Sequence, residues 1–154
     1  MLSRKCKYGL KAALRLAATP PGEPMNVTAL AAAEHIPKKF LDQILLELKR
    51  RGILQSRKGK GGGYMLGRPA GAISFGEIVR TLEGPLAPIG CVSVTAYTRC
   101  AECDSEERCG VRAVMKRVRD ATAEILDHTM LAHVVAGTKA RGPRPRRRAP
   151  ARAR

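Results

Sequence analysis

Ile53-Leu54-Gln55-Ser56-Arg57-Lys58-Gly59-Lys60-Gly61-Gly62-Gly63-Tyr64-Met65-Leu66 is the stretch whose reading decides the fold. Residues 53–58 and 63–66 each have the length and side chains of a short strand, and the glycines between them permit a tight return, so the stretch predicts a β-hairpin. A phosphate-cradling loop is the competing reading of residues 59–63. It fails on its flanks, because no Ser or Thr follows a Gly-Lys pair and no helix opens after the glycines. Immediately upstream, Phe40, Leu41, Ile44, Leu45 and Leu48 recur at helical spacing and mark a buried face. Pro37 suits the first turn of that helix, and Gly52 suits the left-handed residue that ends it.

Working outward toward the N-terminus, Thr28 predicts the cap of a short Ala-rich helix over 29–34. Leu10, Ala13, Leu14 and Ala17 form the stripe of a first helix over 8–18, which the proline-rich run 19–24 stops. Toward the C-terminus, Ser74-Phe75-Gly76-Glu77 is a capping box that opens a fourth helix ending near Leu82. Helices followed by a hairpin give the winged helix-turn-helix arrangement. The fold class is therefore mainly α with a small β-hairpin wing. A long helix follows from Val111, with Val114, Met115, Val118, Ala121, Thr122, Ile125 and Leu126 along one side and Lys116, Arg117, Arg119, Asp120 and Glu124 opposite. Its stripe suits pairing with a second copy better than folding back on its own domain. Four segments result: a winged helix-turn-helix domain over 1–84, a cysteine loop over 85–110, a long C-terminal dimerisation helix over 111–136 and a disordered basic tail over 137–154.

Charge points to the partner. The formal net charge is +16 over 154 residues. Half of it comes from the eight cations after Thr138, unaccompanied by any acid, and the rest of the chain keeps the other half. That excess favours a polyanion, and double-stranded DNA above a membrane surface. The third helix exposes Lys38, Lys39, Asp42 and Gln43 toward base edges or flanking phosphates, and Lys49 and Arg50 toward phosphates alone. Arg57, Lys58 and Lys60 project from the hairpin, with Tyr64 beside them. An ordinary solvated face explains any single lysine here; helix, hairpin and charge together point to DNA. No secretory signal or bilayer-spanning run is visible, which predicts a cytoplasmic protein.

Cys91, Cys100, Cys103 and Cys109 crowd the loop over 85–110. In a reducing compartment, clustered thiols read as metal-binding or redox-active. Only Cys100 and Cys103 form the Cys-x-x-Cys knuckle that zinc favours, and irregular spacing within one loop suits an iron–sulfur cluster better. Zinc is the alternative, and a metal-free thiol switch stands third. No catalytic set is evident, so an enzyme is not expected. His35, His128 and His133 are scattered over different helices, and Cys6, between Lys5 and Lys7, reads either as a thiol of lowered pKa or as a helix-start residue without a role.

With those residues in hand, the chain resembles the Rrf-two family of bacterial regulators. The matching runs are Lys7-Tyr8-Gly9-Leu10, Ile36-Pro37, 40–45 and 48–54; the closest is Arg57-Lys58-Gly59-Lys60-Gly61-Gly62-Gly63-Tyr64-Met65-Leu66. Ile73-Ser74-Phe75-Gly76-Glu77-Ile78 follows, then the cysteine loop. The resemblance spans roughly residues 1–135. It implies a homodimer on a near-palindromic operator, with Lys38, Lys39, Asp42 and Gln43 on the recognition helix and Lys58 at the wing contact. It also implies an iron–sulfur cluster sensing iron, redox state or nitric oxide. Two ligands used in branches of the family are missing. Arg112 stands where one branch has a histidine, and Lys7 where another has an acid. The extra cysteine instead suggests an all-cysteine [4Fe–4S] or [2Fe–2S] site within one subunit.

Overall fold

The structure, a computed structural model, describes residues 2–140, with side chains through residue 137. Six helices and one hairpin follow in order: α1 (Arg4–Ala18), α2 (Val27–Glu34), α3 (Lys38–Arg50), β1 (Leu54–Arg57), β2 (Gly63–Leu66), α4 (Phe75–Glu83), α5 (Gly110–His128) and α6 (Leu131–Ala140). Short 3-10 turns lie at Ala70–Ala72 and Gly90–Val92.

Local chemistry accounts for most boundaries. Helix α1 begins four residues before the predicted start, because Ser3 Oγ accepts the Cys6 N–H at 3.2 Å and Cys6 is fully buried. Cys6 thus acts as a small apolar side chain, and burial pushes its thiol up to about 11, which removes it as a reactive group. Helix α2 starts earlier than Thr28 predicts, since Asn26 Oδ1 caps it by accepting the Thr28 N–H at 2.8 Å. Gly52 follows α3 in the left-handed region at φ 71°. Ser74 Oγ caps α4 by accepting the Glu77 N–H at 3.1 Å, but the Glu77 carboxylate turns to Arg68 instead of closing the box.

The core is aliphatic. Leu30, Leu41, Ile44, Leu45, Leu48, Ile53, Ile73 and Ile78 are fully buried, each contributing about 1.5–3 kcal/mol relative to exposure. Phe40 departs from the predicted buried face. It lies at the core's edge, meeting Tyr8 edge-on with ring centroids 5.8 Å apart. The hairpin pairs Leu54 with Leu66 and Arg57 with Gly63 in antiparallel register. Met25 adds a bridge on the far side of β2, exchanging backbone bonds of 2.8 and 2.9 Å with Tyr64.

The predicted long C-terminal helix is divided in two. The chain leaves helical geometry at Thr129 and Met130, where Phe75 N–H donates to Thr129 O at 2.9 Å and Leu131 N–H to Ile73 O at 3.0 Å. These bonds form a bridge between Ser74 and Met130. Leu131 is then fully buried, and α6 packs on α1 and the Ala70–Ala72 turn. Residues 131–136 therefore belong to the body formed by α1–α4 and the hairpin and do not extend the exposed stripe. The expected disordered tail overlaps the end of α6, and residues 141–154 lie outside those described. Among the described residues, no helix is long and apolar enough to cross a membrane.

Gly63 is the tightest point of the wing. A Cβ there would strike the Met25 carbonyl, which is backbone and cannot swing away. Gly63→Ala is expected to lower stability by about 2 kcal/mol, roughly 5–10 °C in Tm. Gly71→Ala, whose Cβ would meet open space, should leave Tm nearly unchanged in the same calorimetric scan.

Candidate nucleic-acid interface and cysteine loop

Helix α3 buries Leu41, Ile44, Leu45 and Leu48 and turns Lys38, Lys39, Gln43, Lys49 and Arg50 to solvent. Asp42 is half-buried and pairs with Lys38 at 4.0 Å. Lys49 Nζ donates to Ser56 Oγ at 2.7 Å, which ties the helix to the wing strand and turns that ammonium toward the protein. Arg57, Lys58 and Lys60 are exposed at the wing, whereas Tyr64 is half-buried against the core. The structure thus gives Tyr64 a packing role at the base of the wing.

The electrostatics of this face follow from what it lacks. Between Glu47 and Glu77 the chain carries Lys49, Arg50, Arg51, Arg57, Lys58, Lys60 and Arg68, and no acid. Glu47 is itself occupied by Lys5 at 2.7 Å, and Glu77 by Arg68. Helix and wing therefore form one cationic surface with little internal neutralisation, suited to phosphate.

In the cysteine loop, the Thr98 N–H donates to Gly90 O at 3.2 Å, which lays the segment entering Cys100 beside the turn that holds Cys91. Cys91 is buried within that turn, Cys100 is exposed, and Cys103 and Cys109 are half-exposed. Cys109 caps α5, its sulfur accepting the Arg112 N–H at 3.4 Å. That bond, with further help from a Cys103 hydrogen bond and the Val111 N–H, holds the Cys109 thiol below its ordinary pKa. Cys103 is pushed the other way, first by desolvation and then by its hydrogen bond to Cys109 and the nearby charges of Cys109 and Cys100. Cys109 therefore stands at the N-terminus of α5 with Cys103 beside it, and Cys100 is near enough for its charge to act on Cys103.

Sequence reasoning missed the brace around these sulfurs. Tyr97 Oη donates to Glu106 Oε1 at 2.6 Å, and Glu106 Oε2 pairs with Arg112 Nε at 3.3 Å. It also missed the clamp at the other end of α5, where the Arg80 guanidinium holds both oxygens of Asp127, one at 2.8 Å. A Cβ on Gly76 would collide with the Asp127 carboxylate, so glycine there makes room for the clamp. No local pattern signals a pair 47 residues apart.

The donor chemistry fits a soft metal centre: one thiol is raised by desolvation and then by its sulfur neighbours, and another is lowered by backbone N–H groups that favour its negative charge. The four are not preassembled, and among the described residues no group of three or more His, Cys, Asp or Glu side chains has the arrangement of a metal site.

Comparison with known proteins places this geometry. The family described as "Rrf2: Iron-dependent Transcriptional regulator" matches residues 2–137. An rrf2-like HTH-type transcriptional regulator of Rhodobacter capsulatus is 34% identical over 88% of this chain and 93% of its own length. The HTH-type transcriptional regulator CymR of Bacillus subtilis is 32% identical over 84% of this chain and 86% of its own. The structure of that CymR, described as the global cysteine regulator of its organism, superposes with a TM-score of 0.74 at 30% identity, covering 89% of this chain and 97% of its own. The T. potens IscR structure shares the fold, with a TM-score of 0.75 at 23% identity and coverage of 94% and 93%. A structure of Staphylococcus aureus CymR in its oxidized form gives 0.68 at 27% identity, covering 88% and 95%.

Lys58→Ala is expected to weaken duplex binding uniformly across sequences and to reduce the slope of log affinity against log salt by about 1. Fluorescence anisotropy at several salt concentrations reads both effects. An unchanged slope removes Lys58 from the phosphate contacts.

Proposed function

The chain belongs to the Rrf2 family of DNA-binding transcriptional regulators, and from that premise we propose that it acts as a homodimer whose grip on a near-palindromic duplex site is set by an iron–sulfur cluster held by Cys91, Cys100, Cys103 and Cys109. It is a regulator and not an enzyme. The observation that carries the cluster reading is the placement of Cys109 as the cap of α5 with the Cys103 thiol beside it, while the Thr98–Gly90 bond brings the segment entering Cys100 to the turn that holds Cys91. The family's description as iron-dependent supports it. Bound there, the cluster would supply iron–thiolate bonds that close the loop and a charge that changes on oxidation.

The chain's own residues do the rest. The Arg112 and Val111 N–H groups stabilise negative charge on Cys109, and the Tyr97–Glu106–Arg112 brace joins the loop's middle to α5. Helix α5 buries no residue within one chain. Val111, Val114, Val118 and Ile125 stand exposed along one side, Ile125 at 66%. Their spacing of three, four and seven residues is that of a helix-pairing seam, which supports a second copy as the occupant. In such a dimer, a change in the loop shifts α5 and hence the separation of two recognition helices, whose half-sites lie roughly 34 Å apart. A difference of about 1.4 kcal/mol between the two arrangements gives a tenfold change in affinity. The reading places the protein in the cytoplasm, where its DNA is.

One observation favours a second reading. Cys103 and Cys109 are hydrogen-bonded to each other with pKa values driven apart, the arrangement of an attacking thiolate beside its partner. Without metal, two thiols and one hydrogen peroxide would give one disulfide and two waters.

Metal and sulfide analysis of material purified without oxygen tests the choice. Iron with acid-labile sulfide is expected, reduced several-fold in Cys103→Ala. Zinc alone, or no metal with two thiols lost per chain on peroxide treatment, selects the alternatives. Val118→Glu is expected to shift the protein to monomer in light scattering and to abolish high-affinity binding to the two-half-site duplex. A dimer that survives Val118→Glu removes the α5 seam from the interface.

A further inference from the structure

Helix α5 is 19 residues long, about 28 Å, and joins α4 at the end away from the cysteines. Apolar contact helps to hold it there, with Leu126 half-buried against the core. Such contact is non-directional. Direction comes from two polar attachments. Arg80 on α4 presents Nη1 to Asp127 Oδ1 and Nη2 to Asp127 Oδ2, the second at 2.8 Å. Two parallel bonds between planar groups fix an angle, where one bond leaves a swivel. Two residues further on, the Phe75 N–H donates to Thr129 O at 2.9 Å. The last turn of α5 is thus held at Asp127 and again just past its end, both times by α4.

Gly76 marks the same joint independently. It is buried in the first turn of α4, where alanine would favour the helix more. A Cβ there would strike Asp127 Oδ1 and come within 2.9 Å of Arg80 Nη1. The pair itself adds little stability, because its side chains are 38% and 40% exposed and such pairs are worth about 0–1 kcal/mol. A glycine that weakens its helix to admit a weak ion pair is accounted for by orientation, not by energy.

We propose that Arg80 and Asp127 are positioning residues that set the half-site spacing the protein accepts, by fixing the angle between α4 and α5. Recognition helix α3 packs on α4, so that angle passes to the reading face. A turn of about 5° at the joint swings the far end of α5 by roughly 2.5 Å. In a dimer paired through α5 the two-fold axis doubles any such displacement, so a few degrees at each joint amounts to about one base-pair rise, roughly 3.4 Å. The proposal rests on the homodimer reading above and makes no use of the cluster.

The test starts from a duplex selected from a random-sequence pool by the protein. Four further duplexes lengthen or shorten its centre by one or two base pairs, and a fifth carries one half-site. Anisotropy gives Kd for each with the parent, Asp127→Asn and Arg80→Lys. The parent is expected to prefer the selected spacing over its one-base-pair neighbours by at least about tenfold. Both variants are expected to lose most of that preference, to about threefold or less, while one-half-site affinity stays within about twofold and Tm within about 4 °C. Arg80→Lys keeps the charge and loses the two-point geometry, so it separates orientation from charge. Should Asp127→Asn fold poorly, Arg80→Lys carries the test. A parent that scatters light as a monomer overturns the dimer reading and this one with it. A dimeric parent whose variants keep the parental spacing preference, or lose one-half-site affinity to the same extent, overturns the positioning role alone.

Discussion

No residue of helix α5 is fully buried within one chain, although Leu126 packs partly buried against the core, so its attachment to the DNA-reading body is the constraint on which the architecture turns. That attachment is made at the helix's C-terminal end. The Arg80–Asp127 clamp grips it from α4, and the Ser74–Met130 bridge fastens the chain just beyond it. Arg80 holds the Asp127 carboxyl below the usual carboxylate range. Its contribution is therefore complete above the unfolded carboxylate pKa and is lost only as acid protonates Asp127. The pair is partly exposed and modest in energy, but it acts on orientation more than on stability. Fixed at one end and meeting the cysteines at the other, α5 is placed to turn a change in the loop into a change in direction.

The reading face obeys a different logic, that of omission. A run of 29 residues between Glu47 and Glu77 without an acid, together with the neutralisation of both flanking glutamates by Lys5 and Arg68, keeps helix and wing cationic as a unit. Lys49 spends its ammonium on Ser56 and so trades phosphate reach for a fixed wing. The glycines of the hairpin serve geometry as much as approach to DNA, since Gly63 is needed where β2 passes Met25.

Much of this was legible in the residues. The hairpin, the buried face of α3, the left-handed Gly52 and the Ser74 cap follow from local rules, and the structure contains each. Boundaries failed where a residue's tertiary role differs from its type. Cys6 reads as either a reactive thiol or a helix-start residue without a role, and is core; Phe40 reads as core and sits at its edge. The interruption after His128 carries no glycine or proline, because it is imposed by backbone pairing with residues 73–75 and not by local preference. Spacing singled out the four cysteines, but not that Cys91 is buried, Cys100 exposed and Cys109 the cap of α5. That difference depends on the Thr98–Gly90 bond and the Tyr97–Glu106–Arg112 brace, which no sequence pattern announces.

These features converge on one physical idea, that order in a sulfur-rich loop fixes the angle at which a clamped helix presents two reading heads. The most direct measurement is a titration of one duplex, selected from a random-sequence pool by protein purified without oxygen, with that protein and with its metal-stripped form at the same salt concentration. A difference in Kd of at least about tenfold is expected. Equal affinities of the two forms contradict the idea.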